Sequence, residues 1–259
     1  ENPPREERLP MNPFVHLHVH TQYSLLDGAI RLKDLLETAV GYQMPAVAIT
    51  DHGNMFGALE FYDMARKAGI KPIIGCEVYL APRSRLDRHT GGELTANGEE
   101  DRNYHLVLLA KDLTGYRNLL KLVTRAYLEG FYYKPRIDKA LLRQYHEGLI
   151  GLSSCLKGEI ASLLLRNQDG TARKTALEYA EIFGPENFYL ELQANGIPEQ
   201  DAVNETLIRM GKDLGIPLAA TNDCHYLRKA DARAHEVLLC IQTGKTILDE
   251  KRMKFQTDH

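Results

Sequence analysis

The chain's 259 residues are 44% apolar and 26% charged, with a net charge of −3. A chain of this size holds one large α/β domain or two small ones, and its charge balance excludes a generally basic nucleic-acid binder while leaving local basic patches open. Four widely separated cysteines without a CxxC pair, and no apolar run near the roughly 18 residues of a membrane span, argue against a disulfide framework, a zinc-finger module or a membrane anchor, and fit a cytoplasmic setting.

Residues 1–12 begin Glu-Asn-Pro-Pro-Arg-Glu-Glu-Arg, lack a signal-peptide core and are expected to form a disordered leader. The run Phe-Val-His-Leu-His-Val-His at 14–20 predicts a strand over 14–18 and places His16, His18 and His20 on one face. Imidazole is the commonest metal-ligating side chain, so three on one face point to a metal. Leu32, Leu35, Leu36, Ala39 and Val40 mark a helical face, followed by a strand at 46–50. Leu59, Tyr62, Met64 and Ala65 mark a second helix, followed by a strand at 72–79. Residues 82–104 are polar, glycine-bearing and nearly devoid of apolar side chains, which predicts a long surface loop. A strand at 105–110 then leads into a helix from Leu113 to Leu128. Strands at 148–153, 187–193 and 217–221 alternate with helical patterns at Ile160 to Leu165, Ala176 to Ile182, Val203 to Met210 and Ala234 to Ile241. The chain stops at Phe-Gln-Thr-Asp-His without a closing element. Residues 13–259 therefore read as one domain, an N-terminal fragment of something longer with 242–259 leading onward.

Repeated βα-like units argue for a parallel sheet, either open or closed. Polar residues able to bind metal follow nearly every strand: Asp51 and His52 after one, Glu77 late in another, Cys155, then Asp223 and His225. An open sheet concentrates its site at one switch point, whereas a barrel gathers all its strand ends around one mouth. The barrel is the better fit. His105 departs from the scheme because it begins its strand, so the local topology there must differ.

The motifs His-Val-His, Leu-Leu-Asp-Gly, Thr-Asp-His-Gly-Asn, Gly-Cys-Glu and Thr-Asn-Asp-Cys-His-Tyr resemble the PHP (polymerase and histidinol phosphatase) superfamily. The closer likeness is to the PHP domains of bacterial DNA polymerase III alpha subunits. Ala-Gly-Ile-Lys-Pro-Ile-Ile-Gly at 68–75, Tyr-Lys-Pro-Arg-Ile-Asp at 133–138 and Leu-Cys-Ile-Gln-Thr-Gly-Lys-Thr at 239–246 support it. The resemblance implies an α/β fold, a distorted (β/α)7 barrel of the PHP type. It also implies up to three divalent metal ions on His18, His20, Asp27, His52, Glu77, His105, Cys155, Asp223 and His225. His18, His20, Glu77 and Asp223 would hold one ion. Glu77 would share a second with His105 and Cys155, and Asp27, His52 and His225 would hold a third.

Mixed imidazole and carboxylate donors suit zinc, manganese or iron, and the thiol of Cys155 tilts one site toward zinc. Two ions bridged by Glu77 would suit phosphoester hydrolysis by a metal-bound water. The resemblance makes that reaction 3′→5′ exonucleolytic proofreading on a single-stranded DNA 3′ end. The partners it implies are DNA, the rest of a polymerase chain, a separate exonuclease subunit and other replisome proteins. Nothing resembles a polymerase palm.

Simpler readings stand beside these. A lone histidine is more often structural than a ligand, and buried free cysteine is common, so Cys155 rests on the resemblance. His16 lies outside the ligand set as a packing or supporting residue. Asp51 either orients a ligand imidazole or caps a helix beginning near Asn54. Tyr132, Tyr133, Lys134 and Arg136 combine aromatic and cationic groups suited to a single strand, although Lys134 and Arg136 read equally well as solvated, and Arg83, Arg85 and Arg88, which could also hold nucleic acid, read more readily as a solvated loop. A non-catalytic scaffold, braced by metal and docking another exonuclease, would use the same ligands. A free-standing histidinol-phosphate-type phosphatase fits less well, because the stretch from Gln242 to Phe255 resembles the polymerase chains.

Overall fold

The computed structural model describes residues 14–88 and 103–252. The expected leader at 1–12, most of the expected loop and the last residues of the expected tail lie outside them.

Short aliphatic runs form β1 (Ala46–Ile49), β2 (Lys71–Leu80), β3 (Tyr104–Ala110), β4 (Arg136–Ile137), β5 (Leu149–Leu152), β6 (Phe188–Gln193) and β7 (Leu218–Thr221). Helices α1 (Leu32–Gly41), α2 (Ala58–Lys67), α3 (Leu113–Leu128), α4 (Lys139–Gln144), α5 (Glu159–Leu165), α6 (Asp169–Phe183), α7 (Pro198–Leu214) and α8 (Ala232–Thr243) lie between and after them. Local chemistry sets several ends. Asp112 accepts from the Gly115 amide to start α3, Asp138 from the Leu141 amide to start α4, and Gly215 takes the left-handed conformation that stops α7. In α2 the apolar face differs from expectation. Ala58, Phe61 and Ala65 are buried, whereas Leu59 and Tyr62 face solvent. One aromatic ring at the i+3 position anchors that helix, and the larger flanking side chains are bystanders.

The sheet runs β1-β2-β3-β5-β6-β7, with β4 beside the C-terminal end of β2. The β1–β2, β5–β6 and β6–β7 pairs are parallel, but β3 is antiparallel to both neighbours. The all-parallel expectation is corrected at this strand. A parallel return requires a crossover, usually a helix, and the polar stretch before β3 has no apolar helical face to supply one.

A second correction concerns residues 14–18, which form no ladder. The segment is extended but makes only isolated bridges, Val19 to Cys224 and Thr21 to Ile30. On one side the Ala48 and Thr50 amides donate to the carbonyls of His16 and Val19, each at 2.9 Å. On the other, the His20 amide donates to the Cys224 carbonyl at 2.8 Å, and Cys224 to His18 at 3.2 Å. The segment thus joins β1 to the residues after β7 and closes a distorted barrel. Inside, Ala48, Val107, Leu109 and Leu152 pack with Leu17, Ile73, Ile150, Tyr189 and Ala219 into an apolar plug fed by nearly every strand. The larger core lies outside this ring, between the sheet and α3 to α7, and a smaller one sits under α1 and α2.

Candidate metal centre

The expected ligands lie just beyond the plug, at one mouth of the barrel. His18 and His20 follow Leu17; His52 follows β1; Glu77 lies four residues beyond Ile73; Cys155 follows β5, and Asp223 and His225 follow β7. His105 joins them because β3 is reversed, which brings its first residues to the end where the other strands finish. This antiparallel pairing is the topology that its place at a strand start demanded.

His18 Nε2, His20 Nε2 and Asp223 Oδ1 form a triangle with all three sides 3.1 Å. Donors about 2.0 Å from a tetrahedral ion stand ~3.3 Å apart, so the triangle has nearly the dimensions of one face of such a site. Glu77 lies beside it, 1% exposed. Its Oε1 is 3.4 Å from His18 Nε2 and 3.0 Å from His105 Nδ1; its Oε2 is 3.6 Å from His20 Nε2 and 2.6 Å from His52 Nδ1. On its other side His52 Nε2 meets Asp27 Oδ2 at 3.1 Å, and Asp27 Oδ1 is 3.9 Å from His225 Nε2. Cys155 Sγ stands 3.9 Å from His105 Nδ1.

All the expected ligand positions therefore converge. The grouping differs in detail from the one the resemblance implies. His52 packs with Glu77 and His105 as well as with Asp27, and His20 lies against both His52 and His225.

The donor set fits divalent metal. His52 Nδ1, Glu77 Oε2 and Asp223 Oδ1 are buried without well-formed hydrogen bonds, although ionisable atoms stand 2.6–3.1 Å away. Atoms that crowd a point without donating to one another are disposed as ligands are around a cation. Asp223 and Ser154 both hold positive φ, at 52° and 66°. Such conformations cost about 1–3 kcal/mol each and gather at functional sites.

Electrostatics at the mouth are finely opposed. Burial pushes His20 down to about 3, aided by His52 and His225. Burial also opposes charging His52, but Glu77 and Asp27 outweigh it and lift the ring to about 9. The Glu77 carboxylate is held well below its usual range despite complete burial, because His105 and His52 face it. Burial likewise opposes ionising Asp27 and Asp223, yet surrounding histidines keep both low. The Cys155 thiol is raised, first by burial and then by Asp223 and Glu77.

Asp51 caps no helix, since α2 begins at Ala58 with Gly57 before it. It accepts from the Thr21 amide and hydroxyl and from Ser24 Oγ, which lies 3.0 Å from His20 Nδ1. Its connection to His20, one of the expected ligands, thus runs through Ser24, a residue the sequence reading passed over. His16 stands apart from the cluster, with Nδ1 3.6 Å from Cys224 Sγ.

Two more residues escaped the sequence reading. Glu191 lies behind His18, and His235 of α8 puts Nε2 3.9 Å from Asp27 Oδ1. A carboxylate inside the apolar alternation of Phe-Tyr-Leu-Glu-Leu-Gln was the available signal for Glu191.

The cluster opens into a cavity of about 610 Å³ whose wall also carries Lys157 and Arg228. Of the expected substrate contacts, Lys134 and Tyr133 are exposed, and Lys134 Nζ sits 5.3 Å from the ring of Tyr79, which stacks on His52. Arg136 faces inward instead. It is 4% exposed, donates to the carbonyls of Gly130, Arg85 and Asp87, and lies over the Tyr132 ring. Its cation is spent on bracing the chain between β2 and β4. Arg85 is committed too, to Glu129 and Asp138.

A distorted barrel gathers histidines, carboxylates and a thiol at one mouth, in groups whose spacing could hold metal. The family model for the PHP domain matches residues 16–195, and the chain belongs to that family. The alpha subunits of DNA polymerase III from Treponema pallidum and Thermus aquaticus are each 51% identical to it over 247 residues. The match covers 95% of this chain but 20% of each relative, so the chain spans about a fifth of their length. A solved structure of a candidate metal-dependent phosphoesterase from Bifidobacterium adolescentis shares the fold, with a TM-score of 0.51 at 13% identity over 84% of this chain and 90% of that one.

Proposed function

We propose that this chain is the PHP domain of a bacterial replicative DNA polymerase alpha subunit, and that it hydrolyses phosphodiesters as a 3′→5′ proofreading exonuclease in the cytoplasm. The observation that carries the reading is the carboxylate of Glu77, buried and faced on each oxygen by two imidazoles. That placement suits a bridge between cations, as two-metal phosphoryl chemistry requires.

His18, His20, Asp27, His52, Glu77, His105, Cys155, Asp223 and His225 would hold up to three divalent ions, with zinc favoured by the thiol and manganese or iron compatible with the remainder. When bound, such ions supply charge stabilisation at phosphorus and an acidified water. The chain's own part is to fix the donors, exclude bulk water from a buried floor and guide the strand. Lys134 and Tyr133 at the rim offer a cation and an aromatic face to a single strand. Lys157 and Arg228 on the cavity wall would neutralise neighbouring phosphates. The rest of the polymerase, an exonuclease subunit and other replisome proteins are the proposed partners.

The test is an assay of the purified chain on a 3′-labelled single strand and, in parallel, on histidinol phosphate, with His20→Ala and Asp223→Ala as controls. Shortening of the DNA by wild type and its loss in both folded variants is expected. Metal bound without hydrolysis of either substrate would overturn the exonuclease and favour a metal-braced scaffold.

A further inference from the structure

We infer that Glu191 is a positioning residue for the metal centre, fixing His18 in the one tautomer and orientation that can ligate. The inference rests on the metal-binding reading of the cluster. His18 is fully buried and its two ring nitrogens face different surroundings. Nε2 points into the cluster, 3.1 Å from Asp223 Oδ1 and from His20 Nε2. Nδ1 points away, 2.6 Å from Glu191 Oε1. A neutral imidazole carries one proton, and whichever nitrogen donates leaves the other as the lone-pair ligand. With the Nδ1 proton donated to the Glu191 carboxylate, the Nε2 lone pair is left for the cluster.

Glu191 is itself built for this role. It is 0% exposed. Besides His18, its carboxylate accepts from Gln193 Nε2 at 3.0 Å, from the Ser154 amide at 3.1 Å and from the Thr221 hydroxyl. These donors come from β6, from the turn after β5 and from the end of β7, so three walls of the barrel hold the carboxylate still. Ser154 also donates through Oγ to Glu77 Oε1 at 2.6 Å, so the same support reaches the carboxylate between the imidazole groups. The outward nitrogen of His20, by contrast, meets a neutral partner, Ser24 Oγ at 3.0 Å.

A glutamine at this position keeps the size but can turn its amide nitrogen toward Nδ1. It would then donate to the ring, force the ring proton onto Nε2 and block the ligand position. Glu191→Gln, Glu191→Asp and Thr221→Val are compared with wild type for zinc affinity by chelator competition and for the visible spectrum of the cobalt-substituted protein. Melting with chelator present checks the fold. Loss of a supporting partner of this kind weakens metal binding roughly 10–100-fold. We expect that loss and altered cobalt bands in both Glu191 variants, while Thr221→Val, which leaves the carboxylate on His18, stays near wild type.

Unchanged affinity and spectrum in Glu191→Gln would overturn the inference. So would an equal loss in Thr221→Val, or failure of both Glu191 variants to fold with chelator present, since each would assign Glu191 to holding the strands together. If wild type itself binds no zinc or cobalt, the metal-binding reading fails first, and the two failures are told apart.

Discussion

At the residue scale, the mouth of the barrel sets buried carboxylates against buried imidazoles. His52 is raised to about 9 by Glu77 and Asp27 against the penalty of burial, so the metal-free ring carries a proton at neutral pH. Metal must displace that proton, and affinity for zinc is therefore expected to rise with pH through about 9. The stability of the metal-free protein should respond in the opposite sense. A group whose folded pKa is raised contributes fully below its unfolded value of ~6.5, and that contribution is lost as pH rises toward 9. Melting curves across pH 6.5–9.5, with and without zinc, should diverge with increasing pH; parallel curves would contradict this account of His52. The expected substrate contacts separate just as clearly. Arg136→Ala should lower stability by about 2–3 kcal/mol by stranding buried carbonyls. Lys134→Ala should weaken binding of a single strand with little change in melting temperature. A Lys134→Ala variant with undiminished DNA binding would remove it from the interface.

The elements show what hydrophobic patterning conveys and what it conceals. Strands β1, β2, β3, β5, β6 and β7 lie within a residue or two of the runs that predict them, as does α3, because aliphatic alternation and helical spacing are local properties. Pairing direction is a property of the connection and the whole sheet, so the reversal of β3 is not written in its own residues. His105, a ligand-type residue at the start of its strand, was the one sign of it. The segment at 14–20 conveyed its side-chain order but not its backbone role, since a seam between two strands with a few bridges alternates just as a strand does. Glu191 was hidden for a related reason: its partner His18 is 173 residues away, and only closure brings them together. The loop that carries Asp27 depends on a single close approach. A Cβ on Gly28 would stand 2.0 Å from the Thr21 carbonyl oxygen. Gly28→Ala should therefore displace Asp27, lower the number of ions bound per chain and destabilise the fold. Full metal loading in that variant would show that Asp27 is dispensable.

Across the whole molecule, nearly every strand sends one polar residue past the apolar plug to a common point, and the ring is closed by the segment that carries His18 and His20. Cations held there would tie the closing segment to β2, β3 and the end of β7. Chelation is expected to lower the melting temperature, because ligands bound to the folded state alone stabilise it. Full retention of stability after complete metal removal would mean that closure rests on hydrogen bonds and packing alone. The most direct test of the central claim is the count of divalent ions per chain in wild type and in Glu77→Gln, measured by elemental analysis after dialysis. The account predicts more than one ion in wild type and the loss of more than one through this single substitution, because one carboxylate serves both sides. A wild-type chain with no stoichiometric metal, or a Glu77→Gln variant that keeps its full complement, would contradict it.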